Sequence, residues 1–150
     1  MALVIDCTTG EASVVPDTVP TVAERKAVMR RQINTRRDAA FHAGYTPASG
    51  PLASHTLQTR DVEDRTNWLT SQAAYSAAVA GGAGAAMGAN FRTAANETVT
   101  MSYADGLTVL LGMAAWGASV MAASWAHKDA VDAAQDDAAL DAIDIGAGWP

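Results

Sequence analysis

The sequence predicts a helix-dominated α+β fold, with a three-helix core and two short β-hairpins. Three observations carry this expectation. Alanine dominates a composition that is 49% hydrophobic but only 6% aromatic, and alanine is the strongest helix former. Thr21-Val22-Ala23-Glu24 and Ser102-Tyr103-Ala104-Asp105 have the form of helix-start signatures, and each opens a long stretch without proline. Two pairs of short apolar runs flank turn residues. A chain of 150 residues fits one core, so the expected division is an N-terminal arm over 1–20 and a single helix-rich domain over 21–150. Alanine buries little area, which makes such a core thin and partner chains a natural source of further stability.

Leu3–Ile5 and Ala12–Val15 read as two strands around a turn containing Gly10. Pro16, Asp17 and Pro20 then mark a linker. In the helix from Thr21, Glu24 reaches back as in a capping box, and Gly44 is the natural stop. Val22, Met29, Ile33, Ala40 and Phe41 fall near one face of it. Tyr45–Thr59 reads as a loop with an extended piece near Thr56–Gln58. Thr59 or Asp61 caps a second helix to about Ala80, with Val62, Leu69, Ala73 and Val79 on its apolar face and Trp68 beside it. Gly81–Gly88 reads as a flexible connector. Phe91–Thr93 and Thr98–Met101 form the second strand pair around Ala94–Glu97. Ser102 caps the longest helix, which runs to about Ala134 with Leu107, Leu111, Met121 and Trp125 as its bulk. Asp136–Ile145 gives a short last turn or helix, and Trp149 lies in an irregular tail.

Charge narrows the function. The formal net charge is −6, which argues against nucleic acid as a partner. Arg25, Lys26, Arg30, Arg31, Arg36 and Arg37 crowd one segment, and Asp129, Asp132, Asp136, Asp137, Asp141 and Asp144 crowd another. Two solvated faces, paired with each other or with a neighbouring subunit, are the simplest account. The single Cys7 excludes an intrachain disulfide and a cysteine-based metal site, and fits assembly in a reducing cytoplasm. The Met1–Cys7 start carries no basic region of the kind a signal peptide opens with.

No catalytic, cofactor or metal residues are assigned. His42, His55 and His127 lie far apart and lack a second ligand at helical metal spacing. Gly81-Gly82-Ala83-Gly84 lacks the lysine and hydroxyl of a phosphate loop. Gly106–Ala126 contains no charge and has the length of a membrane span. Its glycines, serines and threonine instead favour a helix buried among helices or at an oligomer interface. The residues singled out for partner binding are Leu3, Val4, Ile5 and Val14, on a strand pair too short to persist alone, and Trp149, between Gly148 and Pro150. The other reading is that both ends fold back on their own domain.

The order of segments adds a resemblance. Arg36-Arg37-Asp38-Ala39-Ala40 leads to Ala43-Gly44-Tyr45-Thr46. Thr59-Arg60-Asp61-Val62-Glu63-Asp64-Arg65 starts the next helix, and Thr98-Val99-Thr100-Met101-Ser102 precedes the longest one. That helix holds His127-Lys128-Asp129-Ala130, and the chain closes on Gly148-Trp149-Pro150. From Arg25 to Pro150 this resembles a family of small tailed-bacteriophage proteins carrying a domain of unknown function, encoded near tail-fibre and tail-assembly genes. The resemblance implies a non-enzymatic structural or adaptor component of the virion's tail, fibre or baseplate region, assembled in the host cytoplasm. Its partners would be other tail proteins, with self-association open, and it implies no cofactor. A tail or fibre assembly chaperone absent from the mature virion is the first alternative, and a membrane-active lysis protein the second. Gly81–Asn90 departs from the family in its glycine and alanine content.

Overall fold

The computed structural model describes residues 2–5, 12–15 and 19–150, the first two segments as backbone. β1 (Ala2–Ile5) and β2 (Ala12–Val15) pair antiparallel, with Ala2 opposite Val15 and Ile5 opposite Ala12. The side chains of Leu3, Val4, Ile5 and Val14 lie outside the described residues.

α1 (Val22–Ala43) starts on the expected capping box. The Thr21 hydroxyl accepts from the Glu24 N–H at 3.3 Å, and Glu24 accepts from the Thr21 N–H at 2.7 Å. The helix stops at Gly44, whose φ is +92°. A Cβ there would lie 2.6 Å from the Leu57 carbonyl oxygen. Only glycine permits this approach, which the isolated Tyr45–Leu57 bridge requires.

α2 (Val62–Ala80) is capped by Asp61, which accepts from the Asp64 N–H at 2.8 Å. Its buried face differs from the expected one. Val62 and Leu69 are 69% and 66% exposed, and Ala73 is exposed as well. Trp68 and Tyr75 turn inward instead, around Phe91. Aromatic rings bury the most area per residue, so they decide the rotation of a helix poor in large aliphatics.

The glycine-rich segment is not an unstructured connector. Ala83 N–H bonds Ala78 O at 2.8 Å, Ala104 N–H bonds Gly84 O at 2.9 Å and Tyr103 N–H bonds Ala86 O at 3.1 Å. The bonds tie the segment to both flanking helices, which composition alone does not reveal. β3 (Met87–Arg92) consequently begins earlier than Phe91 and pairs antiparallel with β4 (Thr98–Ser102), with an irregularity between Met87 and Ala89. Ala89 and Phe91 alternate inward and are fully buried. Packing against the helices, rather than strand propensity, makes this segment β.

α3 (Tyr103–Ala133) follows directly, capped by Ser102. α2 runs antiparallel along its first half, with Tyr75 against Gly106 and Leu69 near Ala114. α1 runs antiparallel along its second half, with Phe41 against Gly117 and Lys26 bonding Asp132 O. One stripe of α3 therefore serves two cores. Val109, Leu110 and Met113 join Leu52, Leu57, Tyr75, Phe91 and Met101 in the first. Val131 joins Ile33, Ala134 and Leu140 in the second. The bulk expected from Leu111 and Trp125 does not enter either core, since they are 51% and 57% exposed. α4 (Asp137–Asp141), capped by Asp136, closes the second core.

The basic and acidic segments pair with each other. Arg25 donates to Asp137 at 2.7 Å and also to Asp141, and Arg30 pairs with Asp132. These pairs raise the already high Arg25 pKa, first through the Asp141 bond and then the Asp137 bond.

Candidate functional site: an apolar groove where three helices meet

α1 ends, α2 begins and α3 passes its midpoint at one place. The three segments leave between them a groove of about 300 Å³. Each wall follows from local structure. Phe41, in the last turn of α1, meets Trp116 of α3 edge to face at 5.6 Å. Trp68 forms the opposite wall, held flat by stacking on Phe91 at 5.7 Å and by donating to Gln58 O at 2.7 Å. Met113 and Gly117 of α3 form the floor, and Leu69 of α2 stands at the rim. Gly112 leaves room for the Tyr45 hydroxyl, which a Cβ would approach at 2.6 Å. Burial pushes the Tyr45 phenol up from its ordinary pKa.

Among the described residues, one cation stands at the rim. Arg65 lies over the Phe41 ring at 5.9 Å and donates to Thr59 O at 3.3 Å. Thr59 is itself buried and donates to Phe41 O at 2.5 Å, where it ties the loop to the end of α1 instead of capping α2. Among the described residues no carboxylate forms an ion pair with Arg65. An apolar groove under an arginine accommodates an apolar side chain next to an acidic group.

The histidines lie apart from this groove and from one another. His42 is in the last turn of α1. His55 Nδ1 is 3.2 Å from Glu97. His127 Nε2 is 2.9 Å from Ala147 O, and its ring stacks on Trp149 at 5.5 Å. Among the described residues no group of three or more His, Cys, Asp or Glu could hold a metal. Trp149 folds back: its Nε1 donates to Ile145 O at 3.0 Å, and the ring packs on the Ile33–Val131 core. Its remaining edge lines a shallow recess beside Ala122 and Ala126.

The groove was not legible in the sequence. Arg65 and Trp68 are one helical turn apart, but Phe41 and Trp116 come from distant segments, and no local pattern joins them.

The fold and groove define a helix-dominated α+β domain with an apolar, arginine-rimmed surface cleft. The chain belongs to the family described as Domain of unknown function (DUF4376), which matches residues 24–145. No curated protein and no solved structure matches the chain.

Proposed function

We propose that this protein is a non-enzymatic structural or adaptor component of the tail, tail-fibre or baseplate region of a tailed bacteriophage, acting through protein–protein contacts. The observation that carries the contact role is the arginine-rimmed groove. It is concave and apolar, and one rim residue, Leu69, is 66% exposed. The occupant that fits is an apolar side chain flanked by a carboxylate on a neighbouring tail protein. The segment order described above supplies the phage context. Complementation tests the reading. A phage lacking the gene is supplied with the wild-type chain or with Leu69→Asp, which places a charge in the groove at an exposed position. Loss of intact tails with the variant, at normal protein level, is expected. Full complementation overturns the groove's role.

A membrane-active lysis protein is the second reading, and one observation favours it. α3 is long and apolar enough to cross a membrane, and only 22% of its most apolar window is buried. Membrane leakage on expression of the isolated chain would support it.

A further inference from the structure

The two cores share no buried residue, and they hold α1 unequally. Its C-terminal end is fixed to the first core. Thr59 donates to Phe41 O, and beyond Gly44 the Tyr45 N–H and carbonyl both bond Leu57, which is fully buried there. The rest of α1 lies on α3 with little apolar area, and Ile33 is the one buried residue among its 22. Two cations reach the far end of α3 instead. Arg30 Nε donates to the Asp132 carboxylate at 2.9 Å, and Lys26 Nζ donates to Asp132 O at 2.9 Å. Both complement the negative C-terminal end of that helix. Arg30 and Asp132 are 47% and 52% exposed, so their pairing is weak and salt-sensitive.

Ser124 lies between the fixed end and these charges. It is seven residues from Gly117, which meets Phe41, and seven from Val131, which packs with Ile33. That spacing puts it on the stripe of α3 that faces α1. Ser124 is fully buried, and its hydroxyl has no hydrogen-bond partner among the described residues. A buried hydroxyl without a partner costs free energy that is recovered when water reaches it. The contact between α1 and α3 thus encloses a polar site that favours separation.

We propose that α1 is a hinged strap, pinned at residues 41–45 and latched by Lys26 and Arg30 on Asp132, which lifts from α3 while the first core stays folded and so opens the groove. Gly44, at the end of the helix, absorbs the change of angle. The groove follows because one of its walls, Phe41, belongs to α1 next to the pin. Tilting α1 draws the Phe41 ring away from Trp116 and from the Arg65 guanidinium above it. An occupant that touches both Phe41 and the α2 wall binds the latched form better and holds the strap down. This regulation rests on the groove being a contact site. Arg25 is not part of the latch, since it ties α4 to α1.

Thiol labelling of the full chain in a Cys7→Ser background tests the strap. Ser124→Cys puts a near-isosteric thiol under α1, and Val109→Cys puts one in the first core, where Val109 is buried. Iodoacetamide, which is uncharged, reacts with each thiol when it is uncovered. Ser124→Cys should label at least about tenfold faster than Val109→Cys, through a local opening. Raising NaCl from about 0.02 to about 0.5 M should speed its labelling about threefold, as should Lys26→Gln combined with Arg30→Gln. Ala114 lines the groove, and Ala114→Met, which fills it beside Phe41, should slow the labelling about twofold or more. Hydrogen exchange of the unaltered chain gives the same comparison, with residues 22–37 exchanging ahead of residues 87–92. Equal labelling of the two thiols, or exchange of both segments together, overturns the strap. Indifference to both salt and the paired variant overturns the latch, and unchanged labelling in Ala114→Met overturns the coupling to the groove. These rates involve no tail protein, so failure of the strap and failure of the groove's contact role are separate results.

Discussion

Gly106 is where α3 comes closest to the hairpin, and replacing it measures how tightly the first core is closed. A Cβ at this position would fall within 3.0 Å of the Ala89 Cβ and 3.3 Å from ring atoms of both Phe91 and Tyr75. Ala89 and Phe91 are fully buried and belong to a paired strand, so neither yields by a simple rotation. Carbon atoms prefer about 3.5–4.0 Å, so Gly106→Ala must displace α3 or β3 by roughly half an ångström or more. Overpacking of this kind costs about 1–3 kcal/mol, while alanine in a helix returns up to ~1 kcal/mol over glycine. A contact this close to a buried strand residue falls in the upper part of that range, about 2–3 kcal/mol, so the balance is a loss of about 1–2 kcal/mol. At roughly 2–4 °C per kcal/mol for a chain of this size, thermal unfolding should fall by about 2–8 °C. Gly117 is the control. Its Cβ would meet Phe41 at 3.6 Å, an ordinary contact, so Gly117→Ala should stabilise by up to ~1 kcal/mol. Adding Ala89→Gly to Gly106→Ala removes the closest clash and should recover part of the loss, giving a favourable coupling. Equal melting of wild type and Gly106→Ala, or no coupling in the double variant, would refute the close approach.

Other perturbations follow from single contacts. Arg25→Ala removes both bonds to α4, but all three partners are partly exposed. Exposed pairs of this kind contribute little to global stability, so the melting temperature should barely move, and hydrogen exchange should show lost protection confined to Asp137–Asp141. The Arg60 side chain, donating to Asp64 at 3.1 Å, holds the Asp64 carboxyl below its ordinary range. A depressed folded value means that the stabilisation is present above the unfolded value of about 3.9 and is lost as pH falls through the folded one. The melting difference between wild type and Asp64→Asn should be constant above about pH 5 and shrink below about pH 3; a difference independent of pH would contradict this. Trp149→Ala strips the stack on His127 and the contact with the second core, where the ring is half-buried. A loss of about 1–2 kcal/mol, below that of a fully buried tryptophan, is expected in thermal melts, with helical content retained.

Local signals carried far in this sequence. Thr21 and Ser102 start their helices as their side chains suggest, and Gly44 stops α1. The opposed charge clusters find each other across the second core. What remained hidden depends on tertiary packing. The inward face of α2 follows Trp68 and Tyr75, not the aliphatics Val62 and Leu69. Gly81–Gly88 is ordered by hydrogen bonds to the ends of both neighbouring helices. α3 carries apolar residues nearly all round, so periodicity could not say which stripe its own chain would cover. The groove was least visible, because its walls come from three segments brought together only by folding.

The role proposed for this chain is a place in a virion, reached through protein contacts. If the chain has that role, quantitative mass spectrometry of gradient-purified phage particles from a culture that expresses it tests the proposal most directly. Recovery at a fixed ratio to known tail proteins, retained after a salt wash, is expected. Presence in infected-cell lysate together with absence from purified particles would contradict it and leave the assembly-chaperone role in its place.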